Sequence, residues 1–95
     1  MASLAFHPAA AAEVEDAYNW YAERDPILGA AFLDELHHAL ATIREAPQTW
    51  PSFQGARRYL MRRFPYHVIY RQVANAIQIV AVMHARRRPG YWRNR

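Results

Sequence analysis

The side chains that could move protons or grip phosphate gather in the last third of this chain. His67 and Arg71 share one face of the stretch 66–73 with Ile69, while Tyr66, Val68 and Tyr70 share the other. His84 closes an apolar run, and Arg86, Arg87, Arg88, Tyr91 and Trp92 follow it. Cleaving RNA through its own 2′-hydroxyl needs a proton acceptor, a proton donor and cations beside the phosphate. In this set His67, His84 and Tyr91 can exchange protons and the arginines supply the cations. A second reading involves no bond breaking: His84 ends a strand at the domain edge, and the arginines form a solvated or partner-binding surface. Rings interleaved with arginines also suit single-stranded nucleic acid, where bases stack and guanidiniums follow the backbone. Tyr59, Phe64, Tyr66 and Tyr70 are needed in the core of so small a protein, so Tyr91 and Trp92 are the rings expected at the surface.

Other chemistries lack their residues. There is no cysteine, hence no disulfide, thiolate metal site or thiol nucleophile, which fits a reducing cytoplasmic setting. No glycine loop that could cradle phosphate and no G-x-S-x-G elbow occurs. His37 and His38 are neighbours, about 100° apart on a helix, and cannot jointly hold one metal ion. No metal and no cofactor is expected. The first residues show no positively charged leader, and no apolar run approaches the roughly 20 residues of a membrane span.

Charge divides the chain in two. Residues 1–46 carry eight acids against Arg24 and Arg44, a balance of −6, whereas residues 47–95 carry ten arginines and no acid, a balance of +10. Lysine is absent throughout, and the guanidinium fork suits bidentate recognition of phosphate or carboxylate.

The elements that must position these residues follow from hydrophobic period and punctuation. Residues 3–7 read as a short strand stopped by Pro8, and 9–24 as an amphipathic helix with Ala10, Val14, Ala17, Tyr18 and Tyr21 at helical spacing. Asp25-Pro26 restarts the chain: Asp caps and Pro opens a second helix with the stripe Leu28, Phe32, Leu36, Leu40 and Ile43. Residues 47–55 form a loop with Trp50 and Phe53 pinned to the core. The stretches 57–63, 66–73 and 76–84 are rich in aromatic and β-branched residues and closely spaced, so they predict an antiparallel meander. Residues 85–95 are a basic tail broken at Pro89-Gly90. The whole, residues 1–95, is one α+β domain of order β-α-α-β-β-β, a helical hairpin on one face of a small antiparallel sheet.

This pattern resembles a known family. A strand, a helical hairpin with the turn WYAERDP, the segment FPYHVIY at 64–70 and the ending VMHARRRPGYW at 82–92 are similar to the RelE/ParE superfamily, the toxins of bacterial type II toxin-antitoxin modules. The resemblance spans Phe6 to Arg93, and the ending is most similar to ParE-type plasmid stabilisation proteins. It implies a growth-inhibiting toxin in a hetero-oligomer with a cognate antitoxin. RelE-like members cut messenger RNA on the ribosome, whereas the ParE branch poisons DNA gyrase. Where RelE-like sequences carry a basic residue after the third-strand aromatic, this chain has His67; where they carry an arginine past the last strand, it has Ala85 beside Arg86. Their second-strand lysines meet Tyr59, Leu60 and Met61, and only Tyr91 matches their C-terminal tyrosine. The resemblance therefore implies a gyrase-binding toxin, with Arg62, Arg71, Arg86, Arg87 and Trp92 as target or phosphate contacts. The alternative is a ribosome-dependent endoribonuclease using His67 or His84 as acid/base, Arg62, Arg71 and Arg86 at phosphate and Tyr91 beside the scissile nucleotide. A relative that only binds its partner is the third possibility.

Overall fold

The computed structural model describes residues 2–95; the side chain of Phe53, and with it the expected anchoring of that ring, lies outside the described residues. Along the chain come β1 (Ser3–Phe6), α1 (Pro8–Arg24), α2 (Pro26–Glu45), β2 (Ser52–Phe53), β3 (Ala56–Leu60), β4 (Tyr66–Val73) and β5 (Ala76–His84).

Local chemistry sets the helix ends. The His7 imidazole accepts from the Ala9 N–H at 3.0 Å, and Pro8 opens α1. Asp25, held extended before Pro26, serves both helices: its N–H donates to the Tyr21 carbonyl at 2.9 Å and its Oδ1 accepts from the Ile27 N–H at 2.9 Å. The hairpin closes tightly enough that a Cβ on Gly29 would stand 2.8 Å from the Ala22 Cβ. Phe32, Leu36 and Ile43 are buried as the stripe predicts, Leu40 is half-buried, and Leu28, in the first turn, is exposed.

The sheet runs β1-β5-β4-β3-β2. The meander β3-β4-β5 is antiparallel as expected, but β1 lies parallel to β5, from Ser3 opposite Ala76 to Phe6 opposite Ile79, so the sheet is mixed. A helical layer and the meander separate these two strands, and the direction that a tight turn would impose does not apply to them. β2, inside the predicted loop, exists because Gln54 and Gly55 both take positive φ, 52° and 84°, and close a two-residue hairpin onto β3. β3 stops at Leu60, not at residue 63, because the Glu35 carboxylate of α2 takes the N–H groups of Arg62 (2.7 Å) and Arg63 (3.1 Å) away from any ladder.

The helical hairpin covers one face of the sheet, where Phe32 meets Phe64 and Tyr66 at ring distances of 5.5 and 5.4 Å and Tyr70, fully buried, donates its hydroxyl to the Pro47 carbonyl at 2.6 Å. Trp50, half-buried, packs edge-on against Tyr59 at 4.8 Å. A register shift at Ile69/Tyr70 leaves Val80 without a partner on β4 and turns both Val80 and Ala81 to the other face. There they form a second core with Ala56, Ile69, Met83 and Trp92.

Candidate functional site

β5 ends in a tight turn that presents the arginines. The Ala85 N–H donates to the Pro65 carbonyl (2.7 Å), the Arg87 N–H to the His84 carbonyl (2.9 Å) and the Arg86 N–H to the His84 Nδ1 (3.1 Å). Arg86, Arg87 and Arg88 leave this turn exposed, at the same end of the sheet as exposed Arg62 and Arg63. Gly90 then reverses the chain with φ +83°; a Cβ there would meet Gln54 Oε1 at 2.6 Å. This return corrects the expectation that Trp92 lies at the surface: it is 0% exposed, sealed over Ile69, Val80, Ala81 and Met83. A sheet face without helices must still be covered, and the tail supplies the largest ring it has. Trp92 thus presents no surface to a target. Arg71 is likewise drawn inward, donating to the Arg95 carbonyl at 3.1 Å with its guanidinium 5.8 Å from the Trp92 ring.

The two candidate imidazoles separate. Tyr66 pairs with His84 and His67 with Met83, so strand alternation turns His84 toward the helical face and His67 toward the face of Met83 and Trp92. Burial, together with the charges of Arg58 and His84, lowers the His67 pKa and favours its neutral form. His84 stands edge-on to Tyr66 at 5.1 Å in a cleft of about 390 Å³, whose other walls include Trp20, Tyr21, Arg87 and Tyr91. Burial raises the pKa of Tyr66, with the neighbouring Tyr21 adding to the effect.

Tyr91 belongs to this cleft but its hydroxyl is engaged. It donates to Glu13 Oε2 at 2.6 Å, and burial plus that bond hold its pKa far above the usual phenol value. Glu13, on α1, also accepts from the Val82 N–H (3.0 Å) and, in bidentate fashion, from Arg95 at 2.9 and 3.0 Å. Sequence reasoning missed Glu13, although a signal exists: it falls at helical spacing between Ala10 and Ala17, the two buried residues of α1. His37 and His38 are exposed on α2, and no group of side chains suited to a metal ion occurs among the described residues.

The arrangement offers a cationic edge beside an aromatic cleft, with one imidazole in the cleft and the other behind the sheet. It is equipped to bind an anionic or apolar partner.

A model of the ParE toxin of type II toxin-antitoxin systems, parDE, matches residues 4–89. The structure is similar to one described as the chromosomal ParDE toxin-antitoxin system from P. aeruginosa, with a TM-score of 0.64 and 23% identity over 88% of this chain and 96% of that one. Comparison with curated proteins gives no match. No helix among the described residues is long and apolar enough to cross a membrane. With nearly the whole length matched and the helical hairpin, meander and arginine ending in place, the chain belongs to the ParE toxin family of type II toxin-antitoxin systems.

Proposed function

We propose that this toxin acts by binding DNA gyrase in the cytoplasm, without chemistry of its own, and that a cognate antitoxin neutralises it in a hetero-oligomer. The observation that carries this reading is the separation of the proton-moving groups. General acid–base cleavage needs donor and acceptor within hydrogen-bond reach of one scissile phosphate. His67 and His84 face opposite sides of the sheet, and the Tyr91 hydroxyl is committed to Glu13. What does converge is Arg86, Arg87 and Arg88 in one exposed turn, and arginine is among the residue types that dominate interfaces. The alternative, ribosome-dependent cleavage of messenger RNA, has His84, Arg87 and Tyr91 together in one cleft in its favour, but the Tyr91 hydroxyl there is held by Glu13.

Both mechanisms are tested by adding purified protein to a gyrase supercoiling reaction and, separately, to translating ribosomes. The expected result is loss of supercoiling with intact messenger RNA. The His67→Ala, His84→Ala double variant, checked for folding by circular dichroism, should stay inhibitory. Arg86→Ala with Arg87→Ala should weaken inhibition by about thirtyfold or more, the scale of one interfacial hot spot of about 2 kcal/mol. Cleavage on ribosomes that disappears in the folded histidine variant would sink the gyrase reading. Growth arrest on expression, relieved by co-expressing the antitoxin, is the expected cellular outcome.

A further inference from the structure

One acid from the helical half reaches into the basic tail. Glu13 is only 15% exposed in its side chain, and Arg95, its ion-pair partner, 17%. A carboxylate so withdrawn from water is tolerable because its oxygens are satisfied: Val82 N–H and Arg95 on one, Tyr91 hydroxyl and Arg95 on the other. The tail itself has no strand ladder. Its backbone bonds are turns, Arg93 N–H to the Gly90 carbonyl at 3.1 Å and Arg95 N–H to the Trp92 carbonyl at 3.0 Å, so side chains decide its path.

One of those side chains connects Glu13 to the exposed edge. With its hydroxyl fixed on Glu13, the Tyr91 ring lies under two guanidiniums, Arg87 at 3.9 Å from the centroid and Arg95 at 5.0 Å. Arg87 therefore rests on a ring whose place Glu13 sets. We propose that Glu13 is a positioning residue for target binding, acting through Tyr91 to hold the Arg87 guanidinium ready; this rests on the reading that the arginine turn contacts the target. An arginine already immobilised in its bound pose loses less side-chain freedom on association, which is how a residue that never touches the partner raises affinity. Glu13 therefore couples to Arg87 and not to Arg86, whose guanidinium does not rest on the Tyr91 ring.

Purified full-length variants, tested on gyrase supercoiling and by NMR, decide the matter. Glu13→Gln should weaken inhibition by about tenfold, the effect of misplacing one interfacial anchor. Tyr91→Phe, which keeps the ring and removes the hydroxyl, should act in the same direction and serves if Glu13→Gln folds poorly. Added to Arg87→Ala, either change should cost nothing more; added to Arg86→Ala, it should multiply. In the spectrum, Arg87 side-chain protons should lose the shielding of the Tyr91 ring while the methyl signals of Ile43 and Ile77, buried in the core under the helices, stay in place. Undiminished inhibition, a multiplicative effect with Arg87→Ala, or core methyl signals that move as well would each overturn the proposal. If the wild-type protein leaves gyrase untouched, the target reading falls on its own. The Arg87 shielding then decides the positioning role: lost in Glu13→Gln it stands, retained it fails.

Discussion

Trp92 is the one residue of the tail that is fully buried. Its ring is sealed against Ile69, Val80, Ala81 and Met83 on the sheet face that the helices leave open. Replacing it with alanine removes the ring and exposes that face, so Trp92→Ala should cost about 3–5 kcal/mol in urea unfolding. A change within about 0.5 kcal/mol, the range of surface substitutions, would return Trp92 to the surface. The sequence pointed the other way for an understandable reason. A ring beyond the last strand, flanked by Tyr91 and Arg93, has no periodic partner to mark it as core, and only the reversal at Gly90 brings it under the sheet. Burial of this kind is a tertiary fact. The face of His67 was, by contrast, open to simple counting, since alternation along β4 turns it away from the face of Tyr66. What counting within one strand could not supply is the register that pairs Tyr66 with His84 and so puts the two imidazoles back to back.

At the scale of elements, the signals with a local cause were legible and those with a distant cause were not. Both helices, the Asp25-Pro26 joint and the limits of β4 and β5 follow from capping, proline and β-branched runs, and the structure has them at those places. β3 ends early because Glu35, on α2, takes the amides of Arg62 and Arg63 just beyond it, and β1 pairs in parallel because the whole helical layer precedes its partner. Neither cause is near in sequence. Gly29 belongs to the same class: nothing about its neighbours requires glycine, yet the hairpin brings Ala22 so close that a Cβ would sit 2.8 Å from the Ala22 Cβ and 3.1 Å from the Tyr18 ring. In an isolated helix Gly29→Ala would stabilise by up to about 1 kcal/mol. Here the overlap must be relieved by parting two packed helices, and overpacking of that kind costs about 1–3 kcal/mol. Thermal unfolding should therefore show Gly29→Ala destabilised, and a raised melting temperature would mean that α1 and α2 have room to spare.

Across the whole molecule, the helical half is acidic and the sheet half basic, and the fold joins them through the ion pairs Arg63–Glu35 and Arg95–Glu13. Each lies where an α-helix reaches the sheet's chemistry, and each uses an acid that also holds backbone amides. Most of the positive charge is left over. Arg62, Arg86 and Arg88 stand exposed, and their guanidiniums meet no carboxylate among the described residues. Unpaired charge of one sign on one end of a small protein steers oppositely charged partners, raising association rates well above the roughly 10⁵–10⁶ M⁻¹s⁻¹ of neutral pairs. If the antitoxin presents an acidic and apolar segment to this end, its capture should be fast and strongly salt-dependent. Raising the ionic strength from about 0.01 to about 0.15 M shortens the screening length from about 30 to about 8 Å. The association rate measured by stopped-flow should then fall by about tenfold or more, while dissociation, governed by short-range contacts, should change far less. An association rate indifferent to salt would show that the antitoxin approaches some other surface.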